Sequence, residues 1–126
     1  MNRLMDWLPA NLPPDHGPCV VHGDFRLDNM IFHPTEPRVI GILDWELSTI
    51  GDPMADFSYN CMPYHLVSQA NTTGLVHRDV RELGIPTEDE YIRMYCERTG
   101  RDRIDNWDYY LVYNIFRLAA ISQGIM

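Results

Sequence analysis

The chain has 126 residues, 45% of them apolar, enough for one modest domain with a single core and too few for a second full one. Eighteen acidic residues against ten basic ones give a net charge of -8 and a pI near 4.9, a balance that speaks against a nucleic-acid or anionic-membrane surface, because phosphates select basic patches. Cys19, Cys61 and Cys96 are odd in number and far apart, which disfavours a zinc site or a disulfide framework and suits a reducing compartment. Residues 1–8 are too short and polar for a signal peptide, and no run approaches the ~18 apolar residues of a membrane span. A soluble, cytoplasmic protein without nucleic-acid or membrane partners is expected.

In chain order, residues 1–8 read as the end of a helix, after which Pro9, Pro13, Pro14 and Pro18 impose an extended approach. Residues 19–21, 30–32 and 38–43 read as short strands, and residues 33–37 form a turn with two prolines. Pairing the last two strands as a hairpin brings Asn29, just before one, beside Asp44, just after the other. Gly51-Asp52-Pro53 then offers an N-cap aspartate and a proline at the first helical position, opening a helix to about Cys61. A polar loop over residues 69–74 and a short helix over 78–83 follow, closed by Gly84 and Pro86. The Asn71-Thr72-Thr73 triplet matches a glycosylation pattern that has no meaning in a cytosolic chain.

Thr87 with Glu90 forms a capping-box signature, Tyr91, Met94 and Tyr95 share one helix face, and Gly100 stands where a C-terminal cap belongs, so residues 88–98 are a helix. Over residues 107–123 apolar side chains run almost all round the helical wheel, which predicts a buried central helix interrupted by Asn114 and Arg117. Arg117 needs a partner if buried, for which Asp56 is a candidate; the alternative is a snorkelling side chain. His16, His33, His65 and His77 show no ligand spacing, and Met5, Met54, Met62 and Met94 are packing residues.

The chemistry concentrates in His22-Gly23-Asp24-Phe25-Arg26-Leu27-Asp28-Asn29 and, fifteen residues after Asn29, Asp44 in Ile42-Leu43-Asp44-Trp45-Glu46. His-x-Asp alone is a weak signal. With Asn29 five residues after Asp24, a strand next, and Asp44 ending the following strand, the pattern matches what phosphoryl transfer from a nucleotide requires: a carboxylate for the attacking hydroxyl and oxygen ligands for Mg²⁺. Asp24 would accept the hydroxyl proton, and Asn29 and Asp44 would hold the metal, oxygen donors being the choice of a hard cation. His22 reads as a packed residue fixing the loop, since neutral imidazole is a poor Mg²⁺ ligand. Arg26 is a phosphate contact or a solvated charge. Glu46 supports the metal or is an exposed strand-end carboxylate. Asp52 is a helix cap, and Asp56, one turn into the same helix, buttresses the catalytic loop backbone.

On these residues the chain resembles the aminoglycoside phosphotransferase and choline kinase-like family, and within it the phosphotransferase domains related to those fused to acyl-CoA dehydrogenases. Gly51-Asp52-Pro53-Met54-Ala55-Asp56-Phe57, the segment from Leu83 through Tyr91 to Arg101, and Phe116-Arg117-Leu118-Ala119-Ala120-Ile121 extend the likeness. The resemblance implies an α+β, protein-kinase-like C-terminal lobe, mostly helical, with a small β hairpin carrying the catalytic loop and metal site. It implies ATP- or GTP- and Mg²⁺-dependent phosphorylation of a small-molecule hydroxyl, with a hydroxyacyl-CoA-type acceptor for the dehydrogenase-associated branch.

The family pattern is incomplete here. All ten basic residues are arginine, so the lysine that holds the nucleotide phosphates is missing, and no two glycines lie even two residues apart, so a glycine-rich phosphate loop is missing too. Residues 1–126 are therefore expected to be the C-terminal lobe alone, without the N-terminal nucleotide-binding lobe, ending in or just after the buried helix at Ile125-Met126. The missing lobe, or a partner, would cover an exposed interface. Two other readings remain: a noncatalytic kinase-like binding module, and a metal-dependent hydrolase using His22, Asp24 and Asp44.

Overall fold

The computed structural model describes residues 2–14, 17–69 and 73–124. His16, Asn71, Thr72, Ile125 and Met126 lie outside the described residues, and with them part of the triplet and of the polar loop noted above. Among the described residues four helices and four short strands make an α+β fold: α1 (Asn2–Ala10), β1 (Cys19–Val21), β2 (Met30–Phe32), β3 (Val39–Ile42), β4 (Thr49–Gly51), α2 (Met54–Cys61), α3 (Glu88–Thr99) and α4 (Trp107–Gly124). Single 3₁₀ turns occupy Leu27–Asn29, Trp45–Leu47 and Met62–His65.

The strands form two antiparallel ribbons. β2 pairs with β3, Met30 opposite Ile42, with an irregularity at Ile31/Phe32. β1 pairs with β4, Cys19 opposite Gly51 and Val21 opposite Thr49, so one ribbon closes the base of the excursion that the other carries. The sequence pattern does not suggest β4, because three residues ending in glycine carry no alternation of their own.

The helical body is held by aromatic packing. Phe57 stacks on Tyr95 with ring centroids 3.9 Å apart and tilts against Tyr91 and Trp107 at 5.3 and 5.4 Å. With Cys61 and Leu111 it forms the core cluster that joins α2, α3 and α4. Between α2 and α4 the fully buried Asn114 donates from Nδ2 to the Ala55 carbonyl (2.9 Å) and to Ser58 Oγ (2.7 Å), and that hydroxyl donates to the Met54 carbonyl (2.6 Å).

α3 begins at the expected capping box: the Glu90 amide donates to Thr87 Oγ1 (3.3 Å) and the Thr87 amide to Glu90 Oε2 (2.9 Å). It ends at Gly100, whose φ of 69° is the left-handed cap conformation. Asp52 Oδ1 accepts from the Met54 amide (2.9 Å), giving α2 its N-terminal cap.

Three expectations are corrected. α1 runs through Pro9 to Ala10, because a proline in the last turn costs one hydrogen bond and the Asn11 side chain closes the end by donating to the Trp7 carbonyl (2.8 Å). Residues 78–83 make turns rather than a helix: Asp79 Oδ1 accepts from the Arg81 and Glu82 amides, and Gly84 turns the chain with φ 70° before a second helical turn can form. α4 is not buried all round. Tyr110, Leu111 and Asn114 are buried, while Tyr113, Ile115 and Ile121 are exposed, because α2 and α1 cover only one side.

Candidate active site

The residues singled out in the sequence converge on the loop that leaves β1. His22 is 2% exposed, and its ring fixes two strands of the site at once. The Asp24 amide donates to Nδ1 (3.2 Å), so that nitrogen is an acceptor and the proton sits on Nε2, which donates to the Leu43 carbonyl (2.7 Å). Trp45 packs on the ring at 4.7 Å. With both nitrogens engaged, His22 has no lone pair left for a metal.

Asp56, on the first turn of α2, holds the same loop from the other side. Its Oδ2 accepts from the His22 amide (2.6 Å) and its Oδ1 from the Gly23 amide (2.9 Å). Gly23 sits at φ 85°, and a Cβ there would lie 2.4 Å from the Leu47 carbonyl oxygen, so the loop and the 3₁₀ turn after β3 are in backbone contact. The guanidinium of Arg117 donates to the Gly23 carbonyl, and lies over the Tyr59 ring at 5.2 Å. The candidate pairing of Arg117 with Asp56 does not form, because Asp56 is committed to two backbone amides and Arg117 reaches the peptide oxygen between them and Asp24.

Asn29 is brought against Asp24. Its Nδ2 donates to the Asp24 carbonyl and to Asp24 Oδ2, both at 2.9 Å, which orients the amide so that Oδ1 is the end left to accept a ligand. The Leu43 amide donates to the Asn29 carbonyl (2.8 Å), tying Asn29 to the residue before Asp44. Asp44 is exposed and adopts the left-handed conformation, φ 65° and ψ 55°, where the chain turns from β3 into the next 3₁₀ turn. Asn29 and Asp44 thus stand at the same end of the hairpin.

The donor types at this end of the hairpin suit a magnesium ion. Among the described residues no three His, Cys, Asp or Glu side chains form a cage sufficient by themselves. Mg²⁺ asks for less, one or two protein oxygens with substrate phosphates and water completing the octahedron. Asn29 Oδ1 and the Asp44 carboxylate are such oxygens.

Two predicted residues stay outside this constellation. Arg26 pairs with Asp28 at the surface, and Glu46 lies exposed in the 3₁₀ turn Trp45–Leu47. Two others were missed. Asn60 donates to the Phe25 carbonyl (3.4 Å) and accepts from the Tyr91 hydroxyl (3.0 Å), and Tyr59 stands beside Asp24, its phenol pushed up first by burial and then by the hydrogen bonding and charge of that carboxylate. The signal was available in the helical spacing, since residues 56, 59 and 60 share one face of α2. Beside them opens a cavity of about 530 Å³, whose wall includes Leu27, Tyr59, Met62, Leu75, Ile85 and Leu118, with Arg26 and Asp28 at its polar edge.

Residues 1–107 match the sequence model of the phosphotransferase enzyme family. The chain is 52% identical over 126 residues to acyl-CoA dehydrogenase family member 10 of Mus musculus and 41% identical over 129 residues to family member 11 of Homo sapiens, covering 99% of this chain in each case. It spans only 12% and 16% of those proteins. Among solved structures it superposes on a "putative aminoglycoside phosphotransferase" from Ralstonia eutropha with a TM-score of 0.91 and 49% identity, over 98% of this chain and 38% of that one.

Proposed function

The chain belongs to the phosphotransferase enzyme family, and from that premise we propose that it supplies the metal and hydroxyl side of a small-molecule kinase that uses ATP or GTP with Mg²⁺. In this reading Asp24 receives the proton of the acceptor hydroxyl, and Asn29 and Asp44 hold the metal. Bound Mg²⁺ would neutralise charge on the nucleotide phosphates. His22, Asp56 and Arg117 fix the backbone from which Asp24 projects. The observation that carries the reading is the Asn29 amide on Asp24 Oδ2 at 2.9 Å, which leaves an amide oxygen for the metal and a carboxylate oxygen for the acceptor.

The mostly apolar cavity beside this loop supports an acceptor with an apolar body, and among the described lining residues a polycationic sugar would find only the Asp28 carboxylate, already paired to Arg26. The names of the two mammalian relatives agree with a hydroxyacyl-CoA-type acceptor. No lysine stands among these 126 residues, and the apolar side chains exposed along both ribbons, among them Phe32, Ile40 and Ile50, are suited to face a nucleotide-binding lobe or a partner.

Phosphate transfer from MgATP or MgGTP, with 3-hydroxybutyryl-CoA and kanamycin as acceptor probes, tests the reading. Asp24→Asn and Asp44→Asn should each lower transfer by about a hundredfold or more. Undiminished transfer in either variant would show the roles to be wrongly assigned. The noncatalytic reading is favoured by one observation, the absence of any lysine. Calorimetric titration of MgATP into the chain separates the two: tight binding supports a self-sufficient site, and silence supports the module.

A further inference from the structure

We propose that Asn60, fixed by Tyr91, is a positioning residue that ties the wall of the acceptor cavity to the backbone carrying Asp24. The inference rests on the phosphotransferase reading for its purpose and on two hydrogen bonds for its geometry: Asn60 Nδ2 donates to the Phe25 carbonyl (3.4 Å), and Asn60 Oδ1 accepts from the Tyr91 hydroxyl (3.0 Å). Asn60 and Tyr91 both line the cavity of about 530 Å³, together with Arg26, Leu27 and Asp28 of the loop. The peptide that Asn60 holds is thus the one where the loop passes from Asp24 into the cavity wall.

Three successive carbonyls bracket Asp24, and each is held by a side chain from a different quarter. Arg117 of α4 donates to that of Gly23, Asn29 of the loop itself to that of Asp24 (2.9 Å), and Asn60 of α2 to that of Phe25. Of the three donors only Asn60 is among the described residues that line the cavity. Its amide accepts at one end and donates at the other, so the phenol of Tyr91 polarises the bond to the loop. At 3.4 Å the Phe25 contact is longer than that of Asn29 on Asp24 and has room to shorten when an acceptor fills the cavity, as catalytic hydrogen bonds do on substrate binding.

An acceptor body lying against Asn60 and Tyr91 therefore bears on the catalytic loop through a single amide. Burial above all raises the Tyr91 phenol above its ordinary value, against the pull of Arg98, which keeps it a donor. Two conservative substitutions dissect the relay. Asn60→Asp keeps an oxygen to accept from Tyr91 and loses the donor to Phe25, while Tyr91→Phe keeps the ring against Phe57 and loses only the hydroxyl.

Two measurements test this. Labelling with carbonyl-¹³C phenylalanine and ¹⁵N-arginine marks two peptides of the chain, Phe25–Arg26 and Phe116–Arg117, the first assigned by its loss in Arg26→Lys. The Phe25 carbonyl resonance should move in Asn60→Asp and in Tyr91→Phe while that of Phe116 holds. A Phe25 resonance indifferent to either substitution overturns the proposal, as does equal movement at Phe116, which would mean a general rearrangement. In transfer from MgATP to 3-hydroxybutyryl-CoA, each substitution should lower kcat about tenfold, the equivalent of one hydrogen bond, and leave KM for MgATP unchanged. A merely structural contact would lower the unfolding midpoint and leave kcat alone, and that outcome overturns the positioning role. Absence of transfer in the unsubstituted protein would tell against the phosphotransferase reading instead, and the resonances would then decide the Asn60 contact alone.

Discussion

The stretch from β1 to β4 and the helical body from α2 to α4 are held together by different forces. The helical body buries Met54, Phe57, Cys61, Cys96, Tyr110 and Leu111 around stacked rings. Between Cys19 and Gly51 the buried residues are Val21 and His22, and large apolar side chains such as Phe32, Leu47 and Ile50 face outward. What shapes the candidate site is a handful of polar contacts reaching in from α2 and α4: Asp56 on two amides, Arg117 on one carbonyl, Asn60 on another. The body is stabilised by area, the site by direction. Damage to the first should spread through the whole domain, and damage to the second should stay local.

The largest effect is expected in the body. Phe57→Ala removes the ring that Tyr91, Tyr95 and Trp107 all pack against and should cost about 3–5 kcal/mol, read as a lower midpoint in urea unfolding by both far-UV dichroism and tryptophan fluorescence. A loss confined to one probe would mean that the core does not unify the domain. Next comes Asp56→Ala, which leaves the His22 and Gly23 amides without their acceptor at a cost of about 2–3 kcal/mol. Hydrogen exchange should quicken at those two amides and not within α3. Equal quickening in α3 would erase the distinction between the two regions.

Gly23→Ala sharpens the same contrast. The added methyl would meet the Leu47 carbonyl oxygen at 2.4 Å and the positive φ is unfavourable besides, so the loop and the turn after β3 must part, at about 1–3 kcal/mol. NMR shifts should change at residues 22–24 and 45–47 and hold in α3. An unperturbed turn would show that the backbone contact does not set the loop.

Legibility in the sequence followed the same divide. The helices were readable because their signals are local: the Thr87 and Glu90 capping box, the Gly100 terminus, the Asp52 cap. The hairpin and the meeting of Asn29 with the end of β3 were readable because strand length and turn position determine them. The burial of α4 was overestimated, since an apolar wheel says nothing of how many neighbours arrive to cover it. For Arg117 a carboxylate was the candidate partner and the structure gives a carbonyl, because charge complementarity is visible in a sequence and an unpaired peptide oxygen is not. β4 and Tyr59 escaped for a related reason: their partners lie 28 residues or more away, and neither carries a motif.

The smallest effect is expected at the start of α3, where the body too depends on direction. Thr87→Ala removes the hydroxyl that accepts from the Glu90 amide and should cost about 1 kcal/mol, without touching the site. Glu90 adds a pH signature. The Thr87 backbone hydrogen bond first, then its hydroxyl and the Arg81 guanidinium, hold the Glu90 carboxyl below its ordinary value. A carboxylate lowered in the folded state stabilises above its unfolded pKa, and that contribution fades as pH falls through the folded one. Between neutral and acid pH the parent should therefore lose more stability than Thr87→Ala, which has already surrendered part of the box. Urea unfolding at both pH values reads the difference. Equal losses would place the Glu90 shift in its exposed pairing with Arg81 and leave the capping box no share in acid stability.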